Sequence, residues 1–99
     1  MRLTPSHVQL IRCTATELFG EHARITLFGS RVDDQRKGGD VDLMVEVPDP
    51  VDEPAVIIAR MASRISRAME GRKVDVVLKA PNLLLQPIHE MAERTGVVL

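Results

Sequence analysis

The stretch Asp40-Val41-Asp42-Leu43-Met44-Val45-Glu46-Val47 decides the fold. Val41, Leu43, Val45 and Val47 alternate with Asp40, Asp42, Met44 and Glu46. A period of two is the mark of an extended strand whose side chains leave on opposite faces. One face belongs to a core, and the other carries two carboxylates. Upstream, Arg24-Ile25-Thr26-Leu27-Phe28 is a short β-prone run that ends in the turn residues Gly29-Ser30. Before it, Thr4 suits an N-cap and Pro5 a first helical position, and Val8, Ile11, Ala15 and Leu18 recur at helical spacing. These signals predict a helix over 5–19 that ends at Gly20. Downstream, 48–54 reads as a loop. Ile57, Ile58, Met61, Ile65, Ala68 and Met69 then form one stripe, predicting a crossover helix over 53–70 stopped by Gly71.

Residues 73–79 alternate again, with Val74, Val76 and Leu78 on one face and Asp75 and Val77 on the other. Pro87 can only begin a helix, since inside one it would clash with the preceding turn, so a closing helix is expected over 87–95, before Gly96 and Val97-Val98-Leu99. The order helix, strand, strand, helix, strand, helix predicts an α/β (α+β) domain spanning 1–99, a small mixed sheet with helices packed on it. The apolar strand faces should meet helices 5–19 and 53–70, and the polar faces should look elsewhere.

Composition narrows the function. The 99 residues are 44% hydrophobic and 27% charged, which is ordinary globular usage with room for one core. A net charge of −1 argues against bulk nucleic-acid binding. The chain has no Trp, no Tyr and two Phe, too few aromatic rings for a module that stacks successive bases. Cys13 stands alone and closes no internal disulfide, and no signal-peptide pattern or membrane-length apolar run occurs. These features point to a reducing, cytoplasmic location with no membrane partner.

The chemistry is carried by carboxylates. Asp40 and Asp42, two apart on a strand, project from one face with Cα atoms roughly 6.5–7 Å apart. Such neighbours repel unless a cation lies between them, and Mg²⁺ favours one or two carboxylates together with substrate phosphate oxygens. Asp75 lies on the non-core face of another strand. If the two strands are neighbours, three acids converge, enough for a two-metal site that clamps the attacking and leaving oxygens of an in-line displacement. A lone Asp-x-Asp is more simply a solvated strand face, and a lone Gly-Ser an ordinary turn. Together they say more, because Gly permits close backbone approach and Ser offers a hydroxyl and an N–H to a phosphate.

In combination, Leu27-Phe28-Gly29-Ser30-Arg31, Gly39-Asp40-Val41-Asp42-Leu43 and Gly71-Arg72-Lys73-Val74-Asp75-Val76-Val77 resemble the nucleotidyltransferase motif of the DNA polymerase β superfamily. The resemblance is to its minimal nucleotidyltransferases, the MNT group encoded with HEPN-domain partners as toxin–antitoxin pairs, and it spans nearly the whole chain. It implies that Gly29 and Ser30, with Arg31 beside them, hold the triphosphate of ATP. It further implies that Asp40, Asp42 and Asp75 are catalytic and bind Mg²⁺, with Asp75 activating the acceptor hydroxyl. Nine residues separate Ser30 from Asp40, one fewer than is usual in the group. The function implied is Mg²⁺-dependent transfer of AMP from ATP to a hydroxyl, a tyrosine of a HEPN-type toxin. The alternative is a catalytically idle antitoxin that neutralises a HEPN ribonuclease by binding alone.

Other residues weigh less. Arg36 and Lys37 suit a solvated loop. Arg60, Arg64 and Arg67 form one stripe on the long helix, read as a solvated face, with RNA or an acidic partner as the functional alternative. His7, His22 and His89 have no metal-ligand spacing and receive no role. No GxGxxG or GxxxxGK[ST] is present, so Rossmann and P-loop chemistry lack their anchors.

Overall fold

A computed structural model describes residues 3–29 and 41–99. The first helix, α1, runs Pro5–Phe19, and the first strand, β1, Arg24–Phe28. Strand β2 runs Val41–Glu46, the crossover helix α2 Pro54–Ala68, β3 Val74–Lys79, and α3 Pro87–Thr95. A two-residue strand, β4, Val97–Val98, follows. The expected elements are all present within a few residues of their predicted bounds. β4 is additional, since two residues are too few to show a period.

The starts of α1 and α3 share one device. In Thr4-Pro5-Ser6-His7 the Thr4 hydroxyl accepts from the His7 N–H at 3.1 Å, and the His7 Nδ1 faces the Thr4 N–H at 3.4 Å. In Gln86-Pro87-Ile88-His89 the Gln86 N–H donates to His89 Nδ1 at 2.9 Å. Each histidine therefore satisfies a backbone donor that a helix start leaves orphaned. With Nδ1 accepting, the other ring nitrogen of the buried His89 is the donor, and it reaches the Leu78 carbonyl at 2.9 Å. That bond ties α3 to β3.

The sheet order is β3-β2-β1-β4. β2 pairs antiparallel with β1 and parallel with β3, the parallel pair being bridged by α2 as a parallel connection requires. Ile25, Leu27, Val41, Leu43, Val45, Val74 and Leu78 form the main core with Ile11 and Ala15 of α1 and Met61 and Ile65 of α2. This is the expected packing of the apolar strand faces. The opposite face departs from expectation. Met44, assigned to the polar face, is buried there with Phe28 and Ala92, and Val77 packs on them. α3 lies across the middle of this face, because its Ala92 gives an apolar seat that Met44 can fill. At Gly96 a Cβ would stand 2.4 Å from Thr26 Cγ2 and 2.5 Å from the Ala92 carbonyl, so only glycine lets the chain pass from α3 into β4 so close to β1.

The loop into α2 is also held. The Asn82 side chain accepts from the Val51 N–H at 3.0 Å and donates to the Val51 carbonyl at 2.9 Å. No helix among the described residues is long and apolar enough to cross a membrane.

Candidate active site

The parallel register sets Asp42 of β2 opposite Asp75 of β3. Register partners in neighbouring strands project to the same side, so the two carboxylates share the α3 face, one strand spacing of ~4.8 Å apart at the backbone. This juxtaposition rests on strand order and register. Asp75 has a half-exposed side chain, and the Lys73 ammonium lies 3.9 Å from its Oδ2. Lys73 was not singled out from the sequence. Its spacing of two from Asp75 was the available signal, because that period returns a side chain to the same face.

Gly29 closes the third side. β1 and β2 pair Phe28 with Asp42, bringing the residue after Phe28 against the Asp42 side chain. A Cβ at Gly29 would stand 2.3 Å from Asp42 Oδ2 and 3.2 Å from its Cγ, and Gly29 holds φ +76. Glycine is thus required twice, by a left-handed backbone and by a carboxylate lying over it. The sequence marked Gly29 as a place of close backbone approach, and tertiary pairing shows that a protein carboxylate already makes one.

Ser30, Arg31 and Asp40, with Arg36 and Lys37, lie outside the described residues. Among the described residues no group of three His, Cys, Asp or Glu side chains comes together as a metal site. Asp42 and Asp75 are two members of the predicted triad, on neighbouring strands and one face. Their donor chemistry, carboxylate oxygens from neighbouring strands on one face, fits a hard divalent cation such as Mg²⁺.

The far end of the same two strands is built differently. Lys79 lies 3.6 Å from Glu46 and donates to Glu93 of α3. The hydrogen bond to Glu93 raises the Lys79 pKa above its ordinary 10.5, against the opposing effect of burial. This end ties α3 to the sheet with its charges paired.

Residues 10–95 match the family model described as a nucleotidyltransferase domain. The chain belongs to the nucleotidyltransferase domain family. No curated protein gives a significant match. Among the solved structures that share the fold are three of toxin and antitoxin proteins. Two are mutant forms of the toxin-antitoxin MntA-HpeT, each with a TM-score of 0.66. They are 18% and 17% identical, covering 98% and 93% of this chain and 71% and 70% of theirs. The third is the tri-AMPylated Shewanella oneidensis HEPN toxin in complex with MNT antitoxin. It has a TM-score of 0.56 and 20% identity over 91% of this chain and 69% of that one. At these identities the likeness is one of fold. In this nucleotidyltransferase domain, the three helices and four-stranded mixed sheet of the described residues match the fold of the MntA neighbours.

Proposed function

We propose that this nucleotidyltransferase domain transfers AMP from ATP to a tyrosine hydroxyl of a HEPN-domain toxin, acting as its antitoxin in the cytoplasm. The observation that carries the reading is the in-register pair Asp42 and Asp75 on one sheet face, with Gly29 packed against Asp42, in a chain of this family. Its fold neighbours include a complex of an MNT antitoxin with a tri-AMPylated HEPN toxin, which supports both the partner and the reaction.

Asp40, Asp42 and Asp75 would hold Mg²⁺, which when bound neutralises phosphate charge and steadies the attacking and leaving oxygens. Gly29 and Ser30 offer backbone and hydroxyl donors to the triphosphate, and Arg31 a positive charge. Asp75 takes the proton from the acceptor hydroxyl as its oxygen bonds the α-phosphorus. The bond from that phosphorus to the bridging oxygen breaks, and pyrophosphate leaves with its electron pair. A tyrosine phenol, with a pKa near 10, yields that proton more readily than an aliphatic hydroxyl. This chain has no tyrosine, so the acceptor must come from another molecule. The docked partner would cover the carboxylates, excluding water and orienting the acceptor oxygen.

The test is incubation with ATP labelled at the α-phosphate, Mg²⁺ and a HEPN-domain protein as partner. Label should appear on the partner and vanish when the partner's acceptor tyrosine is changed to Phe. Strong labelling of this chain alone would overturn transfer to a partner, and an unlabelled but inhibited partner would establish neutralisation by binding.

A further inference from the structure

The helical layer on the opposite side of the sheet from the carboxylates presents a second surface of distinct character, apolar and basic. Two open depressions, of about 770 and 620 Å³, lie one along α1 and the other along α2. Glu17 lines the first and Arg64 the second, and the Arg64 guanidinium donates to the Glu17 carboxylate, so the two meet at that ion pair. The first has apolar lining from Leu3, Pro5 and Val8, and the second an exposed apolar strip of Val56 and Ala59, with Val56 47% exposed. Beside these residues stand the exposed Arg12, Arg60 and Arg67. In a chain of net charge −1 this face is basic, and Glu17, already bound by Arg64, is the sole acid among the lining residues.

Arg60, Arg64 and Arg67 stand at i, i+4 and i+7 on α2, a row that follows the helix axis. An apolar strip with a row of guanidinium groups alongside matches an amphipathic helix whose apolar stripe is flanked by carboxylates, each side supplying what the other lacks. A nucleic-acid backbone would use the arginines and leave the strip uncovered. The two aromatic rings give it no platform, since Phe28 is buried and Phe19 packs on the core. A second copy does not supply the complement either. α1 carries Glu17 alone and α2 no acid, while of the two acids of α3, Glu90 and Glu93, the second is held by Lys79.

We propose that this arginine-lined face of α1 and α2 docks an acidic amphipathic helix of a partner protein. The surface lies across the sheet from Asp42 and Asp75, so a partner can be held there while the carboxylate face stays open. Docking is therefore separable from catalysis, and its test does not depend on transfer.

The probe is a fluorescein-labelled helical peptide with Leu at i, i+3, i+4 and i+7 and Glu on both flanks, titrated by anisotropy at low salt, where exposed charge pairs are least screened. Saturable binding is expected, weakened at least tenfold by R60E/R67E and several-fold by Val56→Ser, and unchanged by Asp75→Asn. The neutral R60Q/R67Q variant should weaken it less than the reversal, and serves in its place if the reversed protein melts early. No saturation, equal binding of the peptide with Lys for Glu, or indifference to R60E/R67E and R60Q/R67Q overturns the proposal. Tighter arginine-dependent binding of duplex RNA or anionic vesicles, or sedimentation showing two copies closed over this face, overturns it in favour of that occupant.

Discussion

Strands β2 and β3 present two pairs of charged residues to the same face, and the sheet treats them oppositely. At one end Asp42 stands beside Asp75; four residues along, Glu46 stands beside Lys79. The backbone setting is the same, a parallel register pair one strand spacing apart. At the Glu46–Lys79 end opposite charges meet, and Glu93 of α3 joins them. At the Asp42–Asp75 end two acids stand side by side, with the Lys73 ammonium 3.9 Å from Asp75, and Gly29 leaves the space in which the Asp42 carboxylate lies. Carboxylates side by side on neighbouring strands are the donor set a divalent cation takes, whereas a lysine set between two acids closes its own charges, so the second arrangement makes physical sense as a site and the first as a brace. Between the two ends Met44 and Val77 pack with α3, so one buried patch supports both.

The sharpest way to break this contrast is Asp75→Asn. Transfer to the partner should fall by about 10²–10⁴-fold, the range for loss of a general base. Unfolding in urea should shift by no more than about 0.5 kcal/mol, as for an exposed polar change away from the core. A variant that keeps its rate would place the acceptor's proton elsewhere.

Gly29→Ala comes next. A non-glycine side chain in the left-handed region costs about 1–2 kcal/mol. The new methyl must also push the Asp42 carboxylate aside, since the atom it meets is the end of that side chain. The rise in melting temperature that Mn²⁺ and ATP are expected to give the parent should be lost, because stabilisation by a ligand follows its affinity for the folded state. An undiminished rise would mean that Asp42 does not need its place over Gly29.

The smallest effect belongs to the braced end. Lys79→Met should cost about 0.2–1 kcal/mol at neutral pH, the worth of a partly exposed ion pair. The Glu93 hydrogen bond raises the folded-state pKa of Lys79 above 10.5. Its contribution is therefore complete below the ordinary lysine value and is lost as pH rises through the folded one. Melting curves of parent and variant should converge as pH climbs past 10.5. A gap of constant size would assign the stabilisation to packing of the lysine stem.

Periodicity made the elements legible because helices and strands are local: 3.6 for α1 and α2, two for β2 and β3. The caps were half legible. Thr4 and Pro5 announce α1, but the histidines at the third helical positions showed their use only where His89 is buried against the Leu78 carbonyl. Met44 was read on its correct face, and its burial there was not legible for a definite reason. Alternation puts it opposite the core, yet says nothing of a helix more than forty residues later that arrives to cover it.

The sequence by itself determined the residue types of the site and their faces: Asp42 and Asp75 on the non-core sides of strands, Gly29 at a strand end. It also determined that no tyrosine of this chain can be the acceptor. Only the tertiary structure decided that β2 and β3 are neighbours in the register that joins Asp42 to Asp75, that Asp42 lies over Gly29, and that Lys79 rather than a second acid fills the other end. Side-chain periodicity is a property of a few consecutive residues, whereas strand order and register are settled by burial summed over contacts distant in the chain.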